Sequence, residues 1–332
     1  MDKVRFAIPK GHLAGPTLQT LGRAGYMISG DERTYRPSIN DPRIELKILR
    51  PQEIPISVSE GLQDLGITGL DWVRETRADV DNLLDLEYSR AQLVLAVPKP
   101  WVAINSASNL LKEFSRNRKV LRISTEYLNL CAEYLKSIPT YRELYGNCDP
   151  IQVTPWWKKG KNEKVAIYLS FGATEAKPPE DADAIVELTE TGTSIEQNDL
   201  KIVETITQSA AILIGNKKAL KNRDKREKIY DILTLLRGVV DGRKKLHIFV
   251  NVNRENLQEI LKSLPALKSP TISPLSKKNW YSLNTVVEKD QFLKLLPALR
   301  KLAQGLVVYE PRQVLPLDEI EPPEERERTD EN

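Results

Sequence analysis

The chain has 332 residues, 40% of them hydrophobic and 29% charged, with a formal net charge of +3. That length allows two or three domains, and a charge so close to zero argues against a nucleic-acid partner. Two cysteines, Cys131 and Cys148, and two histidines, His12 and His247, exclude a disulfide framework and a histidine-rich metal site, so a reducing cytoplasm fits. The start, Met1 to Phe6, enters a strand without a long apolar region, and neither a signal peptide nor a membrane span is expected.

Val4 to Ile8 reads as a strand, followed by the tight polar loop Pro9-Lys10-Gly11-His12 and a helical stripe of Leu13, Leu18, Leu21 and Ala24 that stops at Gly25. Such a loop lies at the carboxyl edge of an α/β sheet, where ligands bind. Lys10 is there either a phosphate ligand or a solvated lysine. Residues 31–43 are polar and irregular, with Arg33, Tyr35 and Arg36 close together. Ile44 to Leu49 alternates as a strand and ends at Arg50-Pro51-Gln52-Glu53-Ile54-Pro55, where the prolines break it before a helix. Asp64 to Trp72 reads as a short buried strand, a glycine-flanked turn and a helix capped near Asp71. Gly66 and Gly69 would let a flat ligand approach the backbone, or simply make the turn.

Leu93 to Val97 is wholly apolar and is expected at the centre of a parallel sheet. Pro98-Lys99-Pro100 then leads into a second lobe. Its strands are Val120 to Ser124 and Val165 to Leu169, with a helix carrying Tyr127, Leu130, Cys131, Tyr134 and Leu135. Trp156-Trp157-Lys158-Lys159 is an aromatic and basic patch, read as a lobe surface or subunit contact in preference to a nucleic-acid site. The segment Asp181 to Leu200 carries the most chemistry. Ala184-Ile185-Val186 is a buried strand with Asp183 and Glu187 at its ends, running into Glu190-Thr191-Gly192-Thr193-Ser194. Three hydroxyls around one glycine, ahead of a helix starting near Ser194, suit an anion such as phosphate. The acidic groups upstream would hold sugar hydroxyls or a metal. The plain alternative is a surface turn capped by threonines.

A helix is expected after Leu200, leading to the apolar strand Ala210 to Ile214 and then a charged helix over 217–238. Gly238 to Lys245 reads as a boundary. The remainder reads β-α-β-β-α-β, a ferredoxin-like module. The tail from Leu317, rich in Glu and Pro, reads as disordered.

Four segments together resemble one family, ATP phosphoribosyltransferase, the first enzyme of histidine biosynthesis. They are Ala7 to Gly11, Arg50 to Pro55, Asp64 to Gly69 and Asp183 to Ser194, in the family's order and near its spacing. The C-terminal module is similar to the regulatory domain of the family's long form. The resemblance implies condensation of ATP with phosphoribosyl pyrophosphate, with Mg²⁺ held by substrate phosphate and water and no protein metal site. It implies two α/β lobes like those of periplasmic solute-binding proteins plus a ferredoxin-like (ACT-like) α+β domain. The lobes would be residues 1–97 with 205–240, and 98–204; residues 245–316 would be regulatory and 317–332 a tail. It further implies that Glu190, Thr191, Gly192, Thr193 and Ser194 hold the 5-phosphate and that Asp183 and Glu187 face the ribose hydroxyls. Lys10, Arg33 and Arg50 would be catalytic, contacting pyrophosphate or ATP phosphates. Gly11, Thr68, Gly69 and Asp71 would bind ATP. Histidine would inhibit at the C-terminal module, and the assembly would be a hexamer or dimer.

The chain departs from the family's pattern in having His12 where arginine is usual, which removes a permanent charge. The stretch between Glu175 and Ala182 is about one residue short, and 139–164 is longer than usual. The competing readings are a non-catalytic regulatory paralogue and a two-lobe solute-binding protein. The latter is disfavoured by the additional module. For the module itself, plain dimerisation is the alternative.

Overall fold

The computed structural model describes residues 2–30, 34–264, 270–315 and 317. Strand β1 (Val4–Pro9) leads through a 3-10 turn into α1 (Ala14–Arg23). The small pair β2 (Ile28–Ser29) and β3 (Ser38–Ile39) precedes β4 (Ile44–Leu49), α2 (Ile54–Ser59), β5 (Leu65–Gly69), α3 (Leu70–Thr76) and β6 (Asp81–Asp85). The chain continues through β7 (Ala91–Pro98), α4 (Ala107–Arg116), β8 (Leu121–Thr125), α5 (Leu128–Ser137), α6 (Pro139–Tyr145) and β9 (Pro150–Val153). Then come β10 (Lys158–Lys159), β11 (Asn162–Leu169), β12 (Ala184–Thr189), α7 (Thr193–Gln197), β13 (Leu200–Ser209), β14 (Ala211–Gly215), α8 (Lys217–Lys221) and α9 (Arg223–Arg243). The last part is β15 (Lys245–Asn253), α10 (Arg254–Ser263), β16 (Thr271–Pro274), β17 (Trp280–Glu288), α11 (Lys289–Leu302) and β18 (Ala303–Tyr309).

Among the described residues the strands form three larger sheets, ordered β4-β1-β5-β14-β6, β10-β9-β11-β8-β12-β7-β13 and β16-β17-β15-β18. In the second, β9, β11, β8 and β12 run parallel. The third is antiparallel, with two helices in the β-α-β-β-α-β order. The chain divides into two units. One contains the described residues of Met1–Val4, Thr17–Leu46 and Ala219–Asn332; the other contains Arg5–Pro16 and Lys47–Lys218. The second unit holds the cleft described below.

The structure corrects four expectations. Strand β7 is central and buried, but both of its partners, β12 and β13, are antiparallel to it. An apolar run reports burial on both faces and says nothing of the direction of its neighbours. Residues 200–209 form strand β13, not a helix. Ile202, Val203, Thr205, Ile206 and Thr207 are β-branched and favour the pleat, and two register shifts against β7 hide the alternation. The charged helix expected over 217–238 is two helices, α8 and α9, and α9 continues past Gly238 to Arg243; a Cβ on that glycine would sit 2.3 Å from Leu315 Cδ2, in the chain after β18. Finally, α7 is only five residues long, too short to lend the preceding turn a substantial helix dipole. The expected disordered tail lies, apart from Leu317, outside the described residues.

Candidate functional site: a cleft at the carboxyl ends of the strands

The lobes built on the first two sheets repeat one device at their amino edges. In the first, Arg5 at the start of β1 donates from its backbone N–H and Nε to Asp64 Oδ2, at 2.9 and 3.2 Å, and from Nη2 to Oδ1 at 2.9 Å. In the second, Arg122 at the start of β8 does the same to Asp183, at 2.8, 3.1 and 2.9 Å. Each aspartate immediately precedes a neighbouring parallel strand and returns a backbone bond to its arginine, at 2.8 Å in both cases. Asp183, 8% exposed, is therefore engaged at the edge opposite the ligand-facing ends of β8 and β12. The expectation that it faces ribose meets a structural clamp.

The carboxyl ends of these strands open into a cleft of about 610 Å³. One wall comes from the first lobe. Lys10, just past β1, is anchored by its own N–H to the Leu49 carbonyl at 2.9 Å. Gly11 turns the chain at φ +77° with open space around a Cβ position. His12 follows on the exposed turn, and Arg50 and Gln52 flank Pro51. The buried Thr68 hydroxyl donates to the Pro51 carbonyl at 2.7 Å, fixing the bend that presents Arg50. The other wall comes from the second lobe, with Glu126 and Tyr127 after β8 and Glu187, Leu188 and Glu190 along and after β12.

Trp72 of α3 and Tyr127 stack in this cleft, with ring centroids 4.6 Å apart and planes 29° from parallel. Beneath them Asp71, 2% exposed, accepts from the Tyr127 hydroxyl at 2.8 Å and the Ser209 hydroxyl at 2.5 Å. Asp71 lies in the first turn of α3, whose cap is Gly69, two residues before it. The close backbone approach foreseen at Gly66 and Gly69 is made by protein atoms. A Cβ on Gly66 would lie 2.5 Å from Ile54 Cγ2, and one on Gly69 would lie 2.1 Å from Asp71 Oδ1. Thr68, Gly69 and Asp71 thus support the cleft from below, while Lys10, Gly11, Arg50, Glu187 and Glu190 line it. Arg33 lies outside the described residues.

The turn after β12 is open. Gly192 adopts φ +79°, a conformation costly for any residue with a Cβ. Its N–H donates to Thr189 Oγ1 at 2.9 Å, and the Thr191 and Thr193 hydroxyls lie 2.8 Å apart. Thr191, Thr193 and Ser194 are exposed beside Glu190. Two cleft carboxyls are displaced from ordinary behaviour. Burial pushes Glu187 up to about 7, with Glu175 and Glu126 adding to the rise and the Thr174 hydroxyl and Leu188 N–H opposing it. Burial also raises Glu126, against the pull of Arg50 and Lys177. Buried, perturbed carboxyls beside cations are a functional-site signature. Sequence reasoning did not single out Trp72, Glu126 and Tyr127, which line the cleft, and only their position after a buried strand or in an adjoining helix could have flagged them.

Among the described residues no group of three or more His, Cys, Asp or Glu could hold a metal ion, and no helix is long and apolar enough to cross a membrane.

Comparison with known proteins gives the class: a pentosyltransferase with two α/β lobes and a C-terminal antiparallel-sheet domain. The family pattern of HisG, ATP phosphoribosyltransferase, matches residues 50–238, and that of the HisG C-terminal domain matches 242–312. An ATP phosphoribosyltransferase of Thermodesulfovibrio yellowstonii is 37% identical over 317 residues, covering 95% of this chain and 99% of the relative. One from Chlorobaculum parvum is 36% identical over 308 residues, covering 92% and 96%. The solved ATP phosphoribosyl transferase (HisG:HisZ) complex from Thermotoga maritima shares the fold at a TM-score of 0.55 and 22% identity, over 72% of this chain and 98% of that one. The chain belongs to the ATP phosphoribosyltransferase family, in its long form, whose reaction opens histidine biosynthesis.

Proposed function

We propose that the cleft condenses ATP with phosphoribosyl pyrophosphate as follows. Adenine N1 attacks the anomeric carbon of the ribose, a C–N bond forms, and the C–O bond to pyrophosphate breaks with its electron pair leaving on oxygen. Such a displacement needs orientation of both substrates and cations at the departing group, with no covalent catalyst. Lys10 and Arg50 supply the charge, the guanidinium binding phosphate through its fixed fork; Arg33 is a third candidate by sequence. The turn Glu190 to Ser194 holds the 5-phosphate through its hydroxyls and backbone, and Glu187 accepts from ribose hydroxyls. The Trp72 and Tyr127 rings offer the adenine a flat apolar surface. Mg²⁺ enters with the substrates. The observation that carries this reading is the convergence of Lys10, Arg50, Glu187 and Glu190 on one cavity, beside an open Thr-Gly-Thr-Ser turn.

We further propose that histidine inhibits through the C-terminal module and that the chain works as a homo-oligomer, hexameric or dimeric, in the cytoplasm. Exposed Leu293, Leu296, Val307 and Tyr309 on that module support an assembly surface. The test is product absorbance after mixing the protein with ATP, phosphoribosyl pyrophosphate, Mg²⁺ and a pyrophosphatase, with and without histidine. Product that falls with histidine is expected. Arg50→Ala is expected to lower turnover roughly 100-fold with an unchanged melting curve. Product indifferent to histidine removes the regulatory reading. No product from protein that binds both substrates removes the catalytic one and favours the regulatory paralogue.

A further inference from the structure

The aromatic and basic stretch Trp156 to Lys161 has no part in the cleft, yet its basic half frames a second cavity. This one is about 480 Å³ and shares no lining residue with the first. Helix α5 gives it Glu133 and Lys136, the end of α3 gives Arg77, and the residues in and around the β9–β10 hairpin give Asp149, Lys159 and Lys161. Four cations therefore face two carboxyls, a surplus of two positive charges. Both carboxyls are already engaged. Arg77 donates to Glu133 Oε1 from Nε at 3.1 Å and again from Nη2, and Lys136 Nζ donates to Asp149 Oδ1 at 2.5 Å. Among the described residues Lys159 and Lys161 make no ion pair of their own; they feel only the carboxylate of Asp149, which Lys136 already holds.

The backbone fixes these two lysines in place. Lys159 on β10 lies opposite Gln152 on β9. Gly160 follows at φ +115°, and a Cβ there would stand 2.2 Å from the Pro150 carbonyl oxygen and 2.8 Å from Ile151 Cα, so only glycine closes this end of the hairpin. The Lys161 and Asn162 N–H groups then both donate to the Asp149 carbonyl, at 3.0 and 2.9 Å. Like charges confined to one concave wall repel each other and draw counter-ions to it. A merely solvated lysine face needs neither the cavity nor the constrained glycine.

We propose that this cavity is a binding site for a condensed phosphate, as free diphosphate or as the polyphosphate arm of a nucleotide. Two ammonium groups on a fixed turn, with a guanidinium and a third ammonium beside them, meet several phosphoryl oxygens at once. A single orthophosphate or carboxylate would satisfy only part of that set. The site lies where α3 meets α5, outside the cleft, and stands apart from the assignment of the cleft to catalysis.

The test is calorimetric titration of the full chain with magnesium-free pyrophosphate at about 0.05 M salt, where charges are weakly screened. Two binding events per chain are expected, one at Lys10 and Arg50 and one here. Arg50→Ala should remove the first and leave the second. The double variant Lys159→Gln with Lys161→Gln should do the reverse, weakening the second roughly tenfold. Its melting curve and turnover should not change, because both side chains are exposed and outside the cleft. A repeat with ATP separates the two sources within the proposal: ATP that also binds more weakly to the double variant makes the ligand a nucleotide's arm, and ATP that does not makes it the free anion. A single event that Arg50→Ala abolishes and the double variant leaves intact overturns the proposal. So does a second event that orthophosphate matches in affinity, since that is general attraction to positive charge. A single event lost in the double variant and untouched by Arg50→Ala keeps the proposal and removes Arg50 from the cleft assignment.

Discussion

The two lobes are built alike at their amino edges and differ at their carboxyl edges. Arg5 with Asp64 and Arg122 with Asp183 are the same clamp, set 59 and 61 residues apart in sequence. Beyond the strands, each lobe continues through a short turn containing Thr and Gly into a helix. In the first lobe that turn faces inward: Thr68 holds Pro51, Gly69 makes room for Asp71, and Asp71 holds Tyr127 and Ser209. In the second it faces outward, with Gly192 at positive φ and Thr191, Thr193 and Ser194 exposed. Similar residues thus become a strut in one place and a cradle in the other. What separates them is whether protein groups already occupy the side-chain oxygens and the space beside the glycine.

The strongest way to break that contrast is Asp71→Ala. It leaves the buried Tyr127 and Ser209 hydroxyls without their acceptor, a loss of about 3 kcal/mol for two hydrogen bonds to a carboxyl group. Urea unfolding should show this loss, while KM for phosphoribosyl pyrophosphate in the protein that remains folded stays near wild type. Full stability with abolished binding would make Asp71 a ligand and erase the contrast. A smaller effect is expected at the outward turn. In Gly192→Ala the new Cβ would meet only Ile202 Cδ1, at 3.5 Å, so space is not the obstacle. Forcing an alanine to positive φ costs about 1 kcal/mol locally. That strain should appear as a several-fold rise in KM for phosphoribosyl pyrophosphate and little change in unfolding. Normal kinetics in this variant would return the segment to an ordinary surface turn.

Much of the frame is legible from local pattern. The strands at Val4–Pro9 and Ala184–Thr189 are largely apolar runs and Ile44–Leu49 alternates, each stopped by Pro or by polar residues, and the C-terminal β-α-β-β-α-β order follows from alternating periods. The remainder depends on partners distant in sequence. Nothing local says that β7 pairs antiparallel on both sides, or that Gly66 serves the packing of Ile54. The repeated Val4-Arg5-Phe6 and Leu121-Arg122-Ile123, each with an aspartate ahead of a later buried strand, was a readable sign of the clamps. It would have moved Asp183 out of the ligand set. At the site, Lys10, Arg50 and Glu190 stand out because charged residues follow strand ends. Glu126, Tyr127 and Trp72 come into view only when two lobes and a helix bring them to one cavity.

The finest test of strut against cradle uses two carboxyls that burial pushes up to about 7, one in each role. Glu75 accepts at 2.9 Å from the N–H groups of Asn129 and Leu130, at the start of α5, and so joins α3 to α5. Glu187 lines the cleft. Both titrate near 4.5 when free of the fold, so the folded chain holds each proton more tightly. The stability from that tighter holding is complete below 4.5 and is lost as the pH rises through about 7. Glu75→Gln and Glu187→Gln, which cannot titrate, should therefore both flatten the decline of melting temperature across this window. Their kinetics should differ. In the proposed mechanism an ionised Glu187 accepts from ribose hydroxyls, so wild-type kcat/KM for phosphoribosyl pyrophosphate should rise as the pH climbs through about 7. Glu187→Gln should lower the plateau and abolish that limb, whereas Glu75→Gln should retain it. A limb that survives in Glu187→Gln, or vanishes in Glu75→Gln, would mean that the groups binding substrate and those joining α3 to α5 are not separable.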